Sequence, residues 1–375
     1  MFGLPSLRLG KIFGIPIEIH SSWIIIFVLV TTTLSTGYFP AIEEAAGSPV
    51  WVFWTLGALT ALLFFSSILA HEISHSLVTI AFGGHVDKIT LFLFGGVAGI
   101  GEEPSSPGRE FLMAAAGPAM SLFMAAVFLA GGFAAAAAGL PWWVLAPLGY
   151  LWSINLLVAI FNLLPGFPLD GGRVLRSVLW ALTGDLLKAT KWAALCGQFL
   201  GWSMIAVAVV TVLNGSSQYI WFGLIGWFIS WLAGASYQQE QVRSRLEGVT
   251  VGQIMTPHPE YVSGDITLEE LAHEHFLGAD HSRYPVLHEG QIVGVVSLAD
   301  AKTVARGDWP YVQVLEVADR DLSRLSVLAE TPVLDVLSRL AGQETGAILV
   351  VAEGRLAGIV TRSDVMRLLQ EPARR

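Results

Sequence analysis

The chain has 375 residues, of which 54% are hydrophobic and only 14% charged, with a formal net charge of −9 and a mean hydropathy of +0.62. That apolar excess is the signature of a membrane protein, and an acidic balance without a basic patch excludes nucleic acid as a partner. One cysteine, Cys196, excludes an intrachain disulfide. Only 18 of the 51 Asp, Glu, Lys and Arg residues fall in 1–237. That part is expected to lie in lipid and the rest in water.

Residues 7–20, LRLGKIFGIPIEIH, read as short extended pieces broken by Gly10, Gly14 and Pro16. Six apolar spans follow, at about 21–38, 53–82, 111–137, 143–164, 192–213 and 219–237, each near the length a bilayer demands. Lys and Arg occur before span one and after spans two, four and six, and are missing from the other three connections. This alternation predicts a multi-pass inner (plasma) membrane protein with both termini cytoplasmic. Between spans two and three, GGHVDKITLFLFGGVAGIGEE alternates like a strand and turns at paired glycines. At membrane depth such a strand must be covered by protein or line a wet cavity. It serves either as a structural hairpin or as an edge for an unfolded peptide.

Span two contains His71, Glu72 and His75 in the pattern H-E-x-x-H. Ionisable groups in a lipid-spanning helix are functional candidates, because leaving them unpaired in hydrocarbon is costly. Residues i and i+4 share a helix face, so both imidazoles can grip one ion while Glu72 reaches a bound water as general base. The alternative is a pair of interfacial histidines beside a snorkelling glutamate. A tetrahedral site needs a third protein ligand. Asp170, in NLLPGFPLDGGR at the end of span four, is the clear choice at membrane depth. By itself, an Asp before two glycines is more often a helix-end turn. Asn162, Pro165 and Pro168 are spaced to open the helix before it, and Gly171 and Gly172 are expected to let the chain turn sharply after it.

HEISH (71–75), AAAGPAMS (114–121) and NLLPGFPLDGG (162–172), in that order, resemble the site-2 protease family of intramembrane zinc metalloproteases over roughly residues 8–237. The resemblance implies that His71, His75 and Asp170 bind one Zn2+ and that Glu72 activates water. It places Asn162 and Pro168 beside the site, with Asn162 a candidate to hold substrate or an oxyanion. The family often has Asn where this chain has Ser121, which leaves no role assigned there. The implied substrate is a membrane-spanning regulatory protein cleaved in or near its transmembrane segment.

The soluble tail repeats itself. Residues 284–300 recur at 348–364 with an offset of 64 that pairs Gly294 with Gly358 and Asp300 with Asp364. Over about 249–370 this resembles a tandem cystathionine-β-synthase (CBS) domain pair. The resemblance implies adenine-nucleotide binding, ATP for example, with Asp300 and Asp364 on ribose and Ser297 and Thr361 on phosphate after Gly294 and Gly358. The alternative is that Ser297 and Thr361 only cap the following helices, with the two aspartates closing capping boxes.

The expected fold is a polytopic α-helical membrane domain of about six transmembrane helices with a short β element, plus a cytosolic α/β CBS pair. The expected boundaries are 1–237 for the protease domain, 238–248 for a linker, and 249–307 and 308–375 for the two CBS motifs. The expected function is a zinc endopeptidase gated by nucleotide at the CBS pair and assembling as a homo-oligomer through it. The rival is a CBS-regulated channel or transporter with a vestigial metal site.

Overall fold

The computed structural model describes residues 6–93, 95–100, 104–276, 283–342, 347–352 and 355–370. They form two compact units, Met1–Gln238 and Gln239–Arg375.

In the first unit, β1 (Ser6–Ile12) and β2 (Ile15–His20) form a hairpin, and β3 (Val86–Phe92) and β4 (Gly95–Ile100) form another. β2 and β3 pair in parallel, giving one sheet in the order β1-β2-β3-β4. The extended pieces expected at both places therefore join across the two helices between them. Their inward residues Ile15, Ile17, Val86 and Ile89 pack with Leu69 and Ile73, which flank His71 on the neighbouring helix. On the sheet's other face Glu18 is buried, accepting hydrogen bonds from Lys88 Nζ (2.8 Å), Arg8 Nε (3.0 Å) and Ser6 Oγ (3.0 Å). Lys88 first, then Arg8 and Ser6, draw its pKa down from 4.5 to about 2. A carboxylate depressed by folding adds stability that is fully present above about pH 4.5 and is lost as pH falls towards about 2. The gap in melting temperature between wild type and Glu18→Gln is therefore expected to be wide at pH 6 and to narrow by pH 3.

The helices are α1 (Trp23–Thr33), α2 (Val50–Ala81), α3 (Pro107–Ala137), α4 (Trp142–Asn162), α5 (Asp170–Thr183), α6 (Leu186–Leu213) and α7 (Ile220–Leu246). Apart from α5 and the polar last third of α7, these helices are apolar over most of their surface, with large side chains such as Trp51, Phe133, Phe199 and Trp202 facing outward, as lipid contact requires. Five of them are long enough to cross a membrane. The first apolar stretch, Trp23–Tyr38, is shorter; its last five residues form a π turn. At about 1.5 Å per residue it spans about 24 Å against a hydrocarbon core of about 30 Å.

Two expectations are corrected. Asp170 does not end the fourth span: α4 stops at Asn162, and Asp170 is the first residue of a separate helix. Gly171 and Gly172 lie inside the first turn of α5, where a Cβ would strike the backbone of Leu163, Leu164 and Gly166. They allow close approach rather than a sharp turn. α7 runs on to Leu246, so most of the segment expected as linker has helical backbone.

In the second unit the strands are β5 (Thr256–Pro257), β6 (Val262–Ser263), β7 (Arg283–His288), β8 (Gln291–Ser297), β9 (Ser326–Leu328), β10 (Ala347–Ala352) and β11 (Arg355–Thr361). They form sheets β6-β7-β8 and β5-β11-β10-β9. The hairpins β7–β8 and β10–β11 match residue for residue at the 64-residue offset. Val286 pairs with Gly294 and Val350 with Gly358, each followed by a bulge.

Candidate metal centre

α2 is one uninterrupted helix through the H-E-x-x-H motif, so His71 and His75 lie one turn apart on its buried face. Pro165 and Pro168 keep residues 163–169 out of helix, and α5 begins again at Asp170. That restart carries the Asp170 carboxylate to the imidazoles. His71 Nε2 lies 3.1 Å from Asp170 Oδ2, His75 Nε2 lies 3.3 Å from it, and the two Nε2 atoms are 3.2 Å apart. Ligands about 2.0–2.1 Å from a tetrahedral ion stand about 3.3 Å apart, so the donor set fits zinc. Among the described residues this is the only cluster of three or more His, Cys, Asp and Glu groups close enough to share an ion.

α3 supplies the surroundings. His75 Nδ1–H donates to the Met113 carbonyl at 2.6 Å, and His71 Nδ1 meets Ser121 Oγ at 2.9 Å. The carbonyl can only accept, so His75 carries its proton on Nδ1 and keeps Nε2 as the lone-pair nitrogen a metal ligand needs; Ser121 Oγ can accept from Nδ1–H of His71 in the same tautomer. Gly117 lies between them, and a Cβ there would overlap Nε2 of both rings. A side chain would fill the space where an ion must sit. Sequence reasoning missed Met113 and Gly117 and left Ser121 without a role. The segment AAAGPAMS was visible, but a backbone carbonyl and a missing side chain leave no chemical mark in a sequence.

Glu72 is half-buried beside the three donors, and β4 passes over it closely enough that a Cβ on Gly96 would overlap the Glu72 side chain. Asn162 closes α4 half-buried and, among the described residues, makes no hydrogen bond with the donor trio; Pro168 lies in the turn before α5. In the second unit, Ser297 N–H and Oγ–H donate to Asp300 Oδ2 (2.8 and 2.6 Å). Thr361 N–H and Oγ–H donate likewise to Asp364 Oδ2 (2.9 and 2.7 Å). Each pair closes over the start of a helix, as the capping alternative expects. Asp364 Oδ1 also receives Arg367 Nη2 at 3.1 Å. Gly294 and Gly358 lie against backbone or side chain, at Asp319 and Met255 respectively, with no room for a Cβ.

A lipid-facing helical unit that gathers two imidazoles, a carboxylate and an adjacent glutamate belongs to the membrane-embedded metallohydrolases. Comparison with known proteins narrows this. The model for peptidase family M50 matches residues 59–141 and 134–207, and that for the CBS domain matches 251–307 and 316–371. The Synechocystis sp. chain sll0528, named as a zinc metalloprotease, is 36% identical across 98% of this chain and 96% of its own. Zinc metalloprotease MJ0392 of Methanocaldococcus jannaschii is 30% identical across 97% and 96%. The solved site-2 protease from Methanocaldococcus jannaschii is 32% identical, covering 62% of this chain and 95% of its own, with a TM-score of 0.43. The chain belongs to peptidase family M50, the site-2 proteases. It is a zinc metalloprotease with a multi-pass membrane domain and a CBS pair, and the channel alternative falls away.

Proposed function

We propose that the protein cleaves peptide bonds in or near the transmembrane segments of membrane-tethered regulatory proteins, with His71, His75 and Asp170 holding zinc and Glu72 as general base. The observation that carries this reading is the triangle of Nε2, Nε2 and Oδ2 atoms with edges of 3.1–3.3 Å beside Glu72. A zinc ion bound there lowers the pKa of a water to about 7 and polarises a carbonyl. Glu72 accepts the proton of the attacking water on its carboxylate and returns it to the leaving amine. β4, which lies over Glu72 at Gly96 and pairs with no strand but β3 among the described residues, offers an outer edge that suits an unwound stretch of substrate adding as a strand. Asn162, one loop before Asp170, is the candidate to steady the scissile carbonyl, with Pro168 holding that loop open. The alternation of Lys and Arg among the connections puts both termini and the CBS pair in the cytoplasm. The test is zinc content together with cleavage of a reporter transmembrane peptide by the purified full-length protein. A zinc-loaded chain that cuts no transmembrane peptide would overturn the reading.

The CBS pair is the regulatory module, gating cleavage through an adenine nucleotide such as ATP and offering a surface for a second copy of the chain. Ser297 and Asp300 are the better nucleotide candidates. The described hydrogen bonds to the Asp300 side chain use Oδ2 alone, whereas both oxygens of Asp364 are engaged. Asp300→Ala is expected to weaken ATP binding by about tenfold, the equivalent of one charge-assisted hydrogen bond, and more than Asp364→Ala does. Calorimetric titration with ATP measures both, and absence of ATP binding by the wild type would end the nucleotide proposal.

A further inference from the structure

Glu110, near the start of α3, is wholly buried although it carries a carboxylate. Arg176 of α5, itself buried, donates to Glu110 Oε1 from Nε at 2.6 Å and also from Nη2. Arg173 Nε lies 3.9 Å from the same oxygen. Glu110 Oε2 has no hydrogen-bond partner among the described residues. The Arg176 guanidinium also lies over the ring of Phe167, 5.2 Å from its centroid, in the loop that leads into Asp170. Apolar side chains of the same volume would join two helices at least as stably, because desolvation of a buried ion pair commonly exceeds its Coulombic gain. A buried pair that links the two helices around a site therefore points to orientation rather than to adhesion.

The spacing shows what is being oriented. Glu110, Met113, Gly117 and Ser121 recur every three or four residues along α3, so they share one face. Met113 and Ser121 hold the outer nitrogens of the two imidazoles, and Gly117 leaves the space between the inner ones. Glu110 is the fourth point on this face, and its described bonds run to α5, the helix that begins with Asp170.

We propose that the Glu110–Arg176 ion pair is a positioning device for the third metal ligand. It sets the height and rotation of α5 on α3, so that the Asp170 carboxylate arrives where α3 has already fixed both imidazoles. A guanidinium fork specifies direction as well as distance, whereas apolar contacts would let α5 slide or turn. The proposal rests on the zinc reading above and adds two residues that touch neither ion nor substrate.

The test uses the full-length protein in lipid nanodiscs. The double variant Glu110→Met/Arg176→Met replaces the pair with apolar side chains and leaves no lone buried charge. It is expected to melt within a few degrees of the wild type. The chelator concentration that strips half its zinc should fall about 10–100-fold, the usual effect of losing an outer-shell partner. The visible spectrum of the Co2+-substituted protein should change, and kcat on a reporter peptide should fall with little change in KM. A folded double variant with wild-type zinc retention and an unaltered cobalt spectrum would overturn the proposal. If the double variant does not fold, Glu110→Gln supplies the same readings: reduced zinc retention supports the pair, and wild-type retention overturns it. His71→Ala separates the two levels of the argument, because a variant still holding wild-type zinc would refute the ligand assignment itself.

Discussion

Replacing Glu72 with Gln is expected to lower cleavage of a transmembrane reporter peptide by about 10²–10⁴-fold, the usual worth of a positioned general base, and to leave zinc content unchanged. The amide has the shape of the carboxylate but cannot take up a proton. The three donor atoms belong to other residues, and the substitution lies inside the unbroken helix α2. His71→Ala is the contrast: cleavage and zinc should be lost together. The comparison is made on purified protein, with zinc counted by elemental analysis and turnover by peptide cleavage. Wild-type turnover in Glu72→Gln would remove Glu72 as the base, whatever the metal content.

Gly117→Ala is expected to do what few alanine substitutions in a helix do, and weaken metal binding without touching a ligand. Alanine has a higher helix propensity than glycine, so α3 itself is not weakened. The added methyl, however, occupies the space shared by His71 Nε2 and His75 Nε2. Relief requires both rings to swing away from Asp170 or α3 to back off from α2. Overpacking of this kind costs about 1–3 kcal/mol, equivalent to a zinc affinity lower by about 5–150-fold. Chelator competition reads the affinity, and thermal unfolding checks that the fold is retained. A variant with wild-type affinity would mean that the cradle is wider than the contacts at Gly117 imply.

Much of this site was legible before any coordinate. His71, Glu72 and His75 are neighbours on one helix, so their relation follows from a period of 3.6 residues and needs no tertiary information. Asp170 could be singled out because few ionisable residues occur in the apolar part of the chain. Its local setting was misread. A glycine pair after an aspartate has the same sequence whether it opens a turn or lets a helix press against a loop backbone, and Leu163, Leu164 and Gly166 decide between the two. Glu110 was counted among the charges and Arg176 served only as one of the positive residues after span four, since nothing near either residue in sequence reveals that they meet 66 residues apart. Ser121 was set aside for departing from a family pattern, yet its hydroxyl meets His71 Nδ1.

The soluble unit divides in the same way. The 64-residue offset is a property of the sequence, and the paired hairpins with matching bulges follow it residue by residue. The use of Asp300 and Asp364 is a property of the fold, because a carboxylate three residues after a Ser or Thr caps a helix or meets a ligand according to how the chain turns there.

By itself the sequence determined that the protein lives in a membrane, that one helix carries two imidazoles and a glutamate, and that the tail is duplicated. All three depend on composition, short-range periodicity or self-similarity, which are written along the chain. Only the tertiary structure decided that α5 is a separate helix, that two distant hairpins form one sheet over Glu72, and that a single face of α3 holds both imidazoles and reaches α5. Those relations join residues tens of positions apart, and packing and hydrogen-bond geometry select them from many pairings that the same sequence pattern would allow.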